Sequence, residues 1–497
     1  MTNTIQDLYQ KYLATSRQIA DIRYATAVLE WDQETYLPSK GAAARSRQLA
    51  TLSEMAHKLS TEKVYGDIIE EILATGGLTS KELINVELSK ENFDRQKKIP
   101  SKFVRELSES ISVAYHQWIE ARRKNDYDIF EPALNRLVKL KQQEAELLGY
   151  ENHPYDALLK DYEKSASVKM LDNLFEDMTA PLKELLKKVR ERGSVNDDFL
   201  RQFYPKQKQW DWGLYLIKEL GFDFEAGRQD ISEHPFTTNF SALDVRITTR
   251  IDEHDFANMN WSCIHETGHA LYEQGLPNED YGLPSGEYAS LSIHESQSRF
   301  WENCIGRSKE FWQYYYPELQ KHFPEQLGNI SLNDFEKAIN KVEPSLIRTE
   351  ADELTYHFHI KIRYIIDKEL IGGTLSTKNL RERWSELYKE YLNVIVQDDN
   401  TGCLQDVHWS HGSFGYFPTY SLGSFYAAQF WEKIKEDQPN ALIDVQNGNL
   451  KDILAWLRKN IHSRGQQCKS SEALCEKVTG KPLHTDAFLR YLNEKLL

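Results

Sequence analysis

The sequence predicts a mostly α-helical protein, and three observations support that fold class. Apolar residues recur every three or four positions through most of the 497 residues, which is the spacing of one face of a helix. No internal repeat and no linker rich in glycine, serine or proline interrupts this pattern. Only one segment alternates polar and apolar residues as a strand does. We therefore expect a single helical domain over residues 1–497, with two lobes around a groove.

The first half of the chain contains a series of predicted helices. The first covers Ile5–Leu29, where Leu8, Tyr12, Ile19 and Ile22 repeat at helical spacing. A turn at residues 38–41 separates it from the next helix. The further helices are predicted over residues 42–59, 62–75, 80–95, 101–124, 130–148, 155–162, 167–192 and 209–220.

The exceptional segment is Asp244–Ile251, which alternates polar and apolar residues and is rich in β-branched types. This pattern predicts a strand just before the next helix. In zinc peptidases an edge strand at this place can pair with an extended substrate through main-chain hydrogen bonds. An ordinary hairpin explains the pattern equally well.

The next predicted helix runs from Asp255 to Gly275 and carries the sequence His265-Glu266-Thr267-Gly268-His269. Residues four apart lie on one helix face, so both imidazoles can bind a single metal ion. Glu266 lies between them and can act on a water molecule without being a ligand. Two histidines, an open position and a carboxylate base are what a zinc peptidase requires.

A catalytic zinc site needs a third protein ligand. A turn at Pro284–Gly286 precedes a helix that we expect to start near Glu287 and to carry Glu295, 26 residues beyond His269. Glu295 is the first candidate, and Arg299, four residues on, forms either a salt bridge that supports it or a plain surface pair. Spacing alone leaves four other candidates open: Glu287, His294, Glu273 and Asp280.

Composition and charge limit the classes of protein to which this sequence can belong. The formal net charge of −15 argues against nucleic acid or an anionic membrane as the partner. No stretch approaches 18 apolar residues, so no membrane span is predicted. The five cysteines match no zinc or redox spacing and are expected to be free, mostly buried thiols in a reducing compartment. The N-terminus shows no secretion signal, so we expect a cytoplasmic protein.

Several ordered motifs resemble one family, the Taq/Pfu-type metallocarboxypeptidases, over essentially the whole chain. The N-terminal part contributes Trp31–Thr35 with Pro38 and Arg45. The remaining motifs are His234–Phe236, Asp244–Thr248, His265–His269, His294–Gln297, Ile347–Asp352, Gly402–Trp409 and Gly415–Tyr420.

The resemblance implies a helical, zincin-like metallopeptidase similar to neurolysin and angiotensin-converting enzyme. It implies a deep substrate groove between two lobes and a small β-sheet near the active site, with residues of about 1–125 forming part of the groove wall or lid. A divalent metal, Zn²⁺ with Co²⁺ or Mn²⁺ as alternatives, would be held by His265, His269 and Glu295, one per subunit. The expected activity is removal of single residues from peptides with a free C-terminus, by a homodimer.

Further residues are candidates for steps of that reaction. Glu266 would take the proton of the attacking water and deliver it to the leaving amine. Tyr420 or His408 would donate to the developing oxyanion, although each is also explained as a packed core residue.

A carboxypeptidase must also bind a free carboxylate, for which a guanidinium is the best match. Arg348 is the first candidate, at the start of a predicted helix whose Asp352, Tyr356 and His359 continue on one face. An Arg348–Asp352 pair at i,i+4 is the plain structural alternative. Arg246, on the predicted strand, is the second candidate for this carboxylate.

Other polar residues complete the expected substrate site. His234 and Gln405 are further candidates to line it. No aromatic or acidic specificity pocket can be recognised in the sequence, so we expect broad specificity.

Two other functions fit parts of the sequence. A metallo-endopeptidase or oligopeptidase would use the same metal site but would need no arginine for a terminal carboxylate. A non-catalytic helical interaction protein would carry a vestigial metal site, but the intact Glu266 argues against it because a structural site needs no base.

Overall fold

The computed structural model of the protein describes residues 4–497. The first three residues, part of the segment in which we predict no secretion signal, lie outside the described residues. Twenty-one α-helices are found in the described chain. They are α1 Ile5–Thr35, α2 Ala42–Thr61, α3 Lys63–Thr75, α4 Ser80–Lys97, α5 Ser101–Lys124, α6 Glu131–Leu148, α7 Pro154–Leu159, α8 Val168–Arg190, α9 Lys206–Glu219, α10 Phe256–Glu273, α11 Leu291–Arg299, α12 Lys309–His322, α13 Pro324–Leu327, α14 Leu332–Ile339, α15 Tyr356–Ile371, α16 Leu380–Leu392, α17 Pro418–Asp437, α18 Ala441–Gln446, α19 Lys451–Asn460, α20 Ser471–Thr479 and α21 Asp486–Leu496.

The mostly α-helical fold class and the helices expected in the first half are confirmed. The ends of α1 to α9 fall within a few residues of the predicted ends, except that α1 continues six residues further, to Thr35. No helix in the described part of the chain is both long enough and apolar enough to cross a membrane. All five cysteines are free thiols, and all but Cys468 are buried, as expected.

The described residues divide into two units by their internal packing. The first unit contains the described residues up to Lys97, together with Asn196–Ile339 and Ala427–Pro482. Its N-terminal helices share an apolar core that includes Leu8, Tyr12, Ile69, Val86 and Phe93. The second unit contains Lys98–Val195, Asn340–Tyr426 and Leu483–Leu497.

The first unit also contains a small three-stranded sheet made of β1 Gly227–Ile231, β2 Thr237–Ser241 and β3 Asp244–Thr249. The strand order is β1-β3-β2, in which β3 is parallel to β1 and antiparallel to β2. The predicted strand is therefore confirmed as β3, but its expected position at an edge is wrong. Because β3 is hydrogen-bonded on both sides, the edge strands of this sheet are β1 and β2.

Two predicted helix starts are also corrected. The helix expected near Glu287 begins at Leu291, because the Ser290 hydroxyl caps it by accepting from the Ile293 amide at 3.1 Å. The helix expected at Arg348 is only a short 3₁₀ turn, Arg348–Glu350, and α15 begins at Tyr356. The Asp352 carboxylate accepts from the amide and hydroxyl of Thr355, which holds the intervening segment in a turn instead of a helix.

Candidate functional site

Helix α10 places two imidazoles side by side in the first unit. Its N-terminus is capped by the Asp255 carboxylate, which accepts from the Asn258 amide at 3.2 Å. His265 and His269 lie one turn apart, with ring centroids separated by 5.0 Å. The spacing of the motif in the sequence is thus realised as one polar face on a helix that is otherwise largely buried.

Helix α11 brings Glu295 to this face. Its Oε2 lies 3.6 Å from His265 Nε2 and 3.4 Å from His269 Nε2. Ligand atoms of the three residues all lie within 4.8 Å of one another, the only such metal-ligating group of histidine, cysteine and acidic residues found in the described chain. Arg299 donates from Nε to Glu295 Oε1 at 2.6 Å, so of the two alternatives for Arg299 the salt bridge to Glu295 is the one observed.

A glycine permits this approach of α11 to α10. A Cβ built on Gly268 would lie 2.6 Å from both the Gln297 carbonyl oxygen and the Ser298 Cα. Any larger residue would therefore push α11 away and withdraw the Glu295 carboxylate. The Gly268 backbone lies in the middle of α10, where glycine costs helix stability, so close packing is the physical reason for its presence.

The two imidazoles are oriented by hydrogen bonds at their second nitrogen. His265 Nδ1 lies 2.9 Å from Glu302 Oε2, and His269 Nδ1 lies 3.0 Å from the carbonyl oxygen of His294. Both acceptors favour the tautomer with the proton on Nδ1, which leaves the Nε2 lone pair free for a metal. The donor set of two imidazole nitrogens and one carboxylate oxygen therefore fits a divalent metal ion.

Glu266 lies beside the two histidines and is buried, with 7% of its surface exposed. The hydroxyl of Thr237, the first residue of β2, donates to its carboxylate at 2.6 Å. Burial raises the pKa of Glu266, although the hydrogen bond from Thr237 and the charge of His265 oppose this. A buried carboxylate with a raised pKa suits proton transfer near neutral pH.

The second unit gathers another set of the predicted residues. Arg348 donates from Nε to Asp406 at 2.8 Å, and Arg363 donates from Nε to the other oxygen of Asp406 at 2.6 Å. Gln405 Oε1 accepts from the backbone amide of Arg348 and from Arg363 Nη2. Arg348 is thus paired with Asp406, and the alternative i,i+4 pair with Asp352 is wrong.

His408 and Tyr420 belong to the same cluster. His408 Nε2 lies 3.1 Å from the Tyr420 hydroxyl, and the Arg348 guanidinium lies 5.0 Å from the centre of the Tyr420 ring. Burial, followed by the charge of Arg348, lowers the pKa of His408 to about 3, so its imidazole is neutral at physiological pH. Both side chains therefore contact other polar groups of the second unit.

The remaining predicted residues, Arg246 and His234, lie in the first unit. Arg246 makes two 3.0 Å hydrogen bonds with Asp244, and its guanidinium lies 4.3 Å from the centre of the Trp31 ring. His234 is exposed, and its carbonyl oxygen accepts from Ser232 Oγ at 2.6 Å. Neither side chain contacts the His265–His269–Glu295 group directly among the described contacts.

Sequence reasoning missed four residues of these clusters: Thr237, Gly268, Glu302 and Arg363. Glu302 had a detectable signal, because it follows Glu295 by seven residues and so lies on the same helix face. Thr237 directly follows the His234–Phe236 motif, but nothing in the local pattern indicates that it contacts Glu266. Arg363 joins Asp406 over 43 residues of sequence, a separation that periodicity cannot detect.

Comparison with known proteins identifies the family of this chain. Residues 11–496 match the family model described as carboxypeptidase Taq (M32) metallopeptidase. The chain is 39% identical to carboxypeptidase 1 of Bacillus subtilis, covering 96% of each chain. It is also 39% identical to thermostable carboxypeptidase 1 of Thermus thermophilus, covering 99% of each. A solved carboxypeptidase structure from Pyrococcus furiosus superposes with a TM-score of 0.96 at 37% identity, covering 100% of both chains. The chain therefore belongs to the carboxypeptidase Taq (M32) family of metallopeptidases.

Proposed function

We propose that this protein removes single amino acids from the C-termini of peptides, with broad residue specificity, using a metal held by His265, His269 and Glu295. Membership of the M32 family places it among metallocarboxypeptidases, which hydrolyse peptide bonds. The observation that carries the assignment of the site is the convergence of both Nε2 atoms on Glu295 Oε2, with Glu266 directly beside them.

We assign zinc to this site, one ion per chain, with cobalt and manganese as alternatives that the same ligands accept. Three protein ligands leave a coordination position open, as catalytic zinc sites do. When bound, the ion supplies a Lewis acid that polarises the scissile carbonyl and makes water a stronger nucleophile at neutral pH.

Glu266 performs the proton transfers. It takes a proton from the attacking water and delivers that proton to the nitrogen of the departing amino acid. The hydrogen bond from Thr237 fixes one carboxylate oxygen, which keeps the other in a defined direction. Because Glu266 is buried, its carboxylate is shielded from bulk water and competing hydrogen bonds.

Tyr420 or His408 is the proposed donor to the oxyanion of the tetrahedral intermediate. If the imidazole of His408 donates from Nε2 to the Tyr420 oxygen, the Tyr420 proton stays available for the substrate. A preorganised hydrogen-bond donor stabilises such a developing charge by about 3 kcal/mol.

Arg348 is the proposed partner of the substrate's terminal carboxylate, and Arg246 is the second candidate. Two buried guanidinium groups, those of Arg348 and Arg363, share the single carboxylate of Asp406. This surplus positive charge favours a second carboxylate, which a free peptide C-terminus provides. The Arg246 guanidinium is by contrast paired with Asp244 and stacked on Trp31.

Gln405 supports this arrangement through its bonds to both arginines, and His234 stays a substrate-binding prediction. The homodimer, the cytoplasmic location, the substrate groove and the likeness to neurolysin and angiotensin-converting enzyme also stay predictions from the sequence.

A pair of peptides tests the proposed activity. One has a free C-terminus and the other carries a C-terminal amide, and both are incubated with zinc-loaded enzyme and with Glu266→Gln. We expect mass spectrometry to show stepwise loss of C-terminal residues from the free peptide alone, and no loss with the variant. Internal cleavage of both peptides would establish an endopeptidase instead.

A further inference from the structure

A carboxylate outside the predicted ligand set contacts the metal centre. Glu302 lies in the π-helical segment Phe300–Gly306, which continues directly from α11. Its side chain is 9% exposed, and its Oε2 lies 2.9 Å from Nδ1 of His265. Burying a carboxylate is costly unless it is paired, so its position beside a metal-binding imidazole needs an explanation.

Two arginines hold this carboxylate in place. Arg307 donates from Nη2 to Glu302 Oε1 at 3.0 Å, and Nη1 of Arg299 lies 3.5 Å from Glu302 Oε2. Arg299 also donates from Nε to Glu295, so one guanidinium joins a ligand carboxylate to the carboxylate that contacts His265. The resulting chain of charged hydrogen bonds connects two of the three ligands through Arg299 and Glu302.

The π-helical backbone makes the contact with Arg307 feasible. Glu302 and Arg307 are five residues apart, and two residues at this spacing lie on different faces of an α-helix. In a π-helix the i→i+5 hydrogen bond places such residues one above the other, and Arg307 directly follows Gly306, the last π-helical residue. The Arg307 guanidinium is further fixed 4.0 Å above the ring of Trp261, which precedes His265 by one turn of α10. Its Nη1 donates to the Ile339 carbonyl oxygen at 2.7 Å.

We propose that Glu302 is a positioning residue of the metal centre, which holds His265 with its proton on Nδ1 and its Nε2 toward the ion, and which Arg299 and Arg307 keep in place. This inference rests on the proposed metal site. An acceptor of this kind fixes the ring orientation and increases the basicity of the ligand nitrogen, and its loss in metal sites weakens affinity about 10- to 100-fold.

The test measures metal affinity, so it does not depend on catalysis. Zinc dissociation constants are determined by competition with a chromogenic chelator for the wild type, Glu302→Gln and Glu302→Ala. We expect Glu302→Gln to bind zinc about tenfold more weakly and Glu302→Ala to approach a hundredfold loss. The visible spectrum of the cobalt-loaded protein should change in both variants, since it responds to ligand geometry.

Glu353→Gln is the matched control. The Glu353 side chain is similarly buried, at 11% exposed, and it is paired with Lys495 at 2.7 Å. It contacts none of the three ligands among the described interactions, so this variant should keep the wild-type affinity and cobalt spectrum. The melting temperatures of the metal-free proteins show whether each variant is folded. Glu302→Gln keeps the side-chain volume. Its zinc affinity therefore tests the role of Glu302 even if Glu302→Ala fails to fold.

The variant His265→Ala tests the proposed metal site separately from the proposed role of Glu302. If it retains the zinc affinity of the wild type, the proposed metal site is wrong and the role of Glu302 is overturned with it. If it loses zinc while folded Glu302→Gln binds within twofold of the wild type, the metal site stands and the positioning role of Glu302 is overturned.

Discussion

The hydroxyl of Thr237 donates to the Glu266 carboxylate at 2.6 Å and also lies 3.0 Å from the backbone carbonyl oxygen of Glu266. A single side chain at the start of β2 thus contacts both the carboxylate and the backbone carbonyl of the proposed general base. Because β2 is one of the two edge strands of the sheet, this contact links an edge strand directly to the residue proposed to transfer the proton.

Thr237→Val removes this hydrogen bond while keeping the side-chain shape. We expect kcat to fall about tenfold with little change in KM, because a Glu266 carboxylate of less defined orientation transfers protons less efficiently. Thr237→Ser keeps the hydroxyl and should retain most of the activity. Steady-state kinetics on one peptide check this, and full activity of Thr237→Val with a loss in Thr237→Ser would show that packing of the methyl group, and not the hydrogen bond, is what matters.

Arg348→Gln removes the guanidinium proposed to bind the substrate carboxylate. We expect kcat/KM for a peptide with a free C-terminus to fall about 10- to 100-fold, the value of a lost charge-assisted hydrogen bond. Arg246→Gln, the change at the second candidate, should have the smaller effect. Parallel kinetics of the two variants give the comparison, and a larger loss in Arg246→Gln would move the assignment to β3.

Asp406→Asn removes the charge that two buried guanidinium groups share. Breaking a buried ion pair from one side costs about 3–5 kcal/mol, because it leaves uncompensated charge in the interior. We expect a correspondingly lower free energy of unfolding in urea. The exposed pair of Lys63 and Asp67 is the control, since Asp67→Asn should leave stability unchanged within error. Similar stability of both variants would contradict the buried network.

Metal removal should lower both activity and stability. The proposed ligands come from α10 and α11, so a bound ion connects two helices and stabilises the native state according to its concentration and affinity. At a free zinc concentration a hundredfold above the dissociation constant this amounts to about 2.7 kcal/mol. We expect chelation to lower the melting temperature and zinc to restore it. An unchanged melting temperature together with full activity would exclude a metal at these residues.

His462 should make stability depend on pH. Burial, followed by the charges of Arg458 and His294, lowers the pKa of His462 to about 3, whereas an unfolded histidine has a pKa of about 6.5. Below about pH 6.5 the unfolded chain therefore binds a proton that the native state does not. This contribution lowers the free energy of unfolding by up to about 1.4 kcal/mol per pH unit as the pH falls toward 3.

His462→Gln isolates this effect from other titrating groups. The wild-type imidazole lies 2.9 Å from Gln297 Oε1, and the glutamine amide can take over that hydrogen bond. We expect the stability of the wild type relative to the variant to decline between pH 6 and pH 4, as measured by urea unfolding at several pH values. Parallel stability curves would show that His462 is protonated in the native state.

The helices of the first half could be predicted because their cause is local. A repeat of three to four residues buries one face of a helix wherever the helix packs. The pairing of His265 with His269 is equally local, since one helical turn fixes it. The order of motifs in the sequence was sufficient to indicate the family, which the full-length relatives confirm.

Tertiary structure decided what residue spacing left open. Glu295 joins the histidines, rather than Glu287, His294, Glu273 or Asp280, because the absence of a side chain at Gly268 lets α11 approach α10. Arg348 is paired with Asp406, 58 residues away, and not with Asp352, four residues away. The predicted strand is central because β1 and β2 flank it. Periodicity describes which face of an element is buried, whereas these partners depend on how distant elements pack.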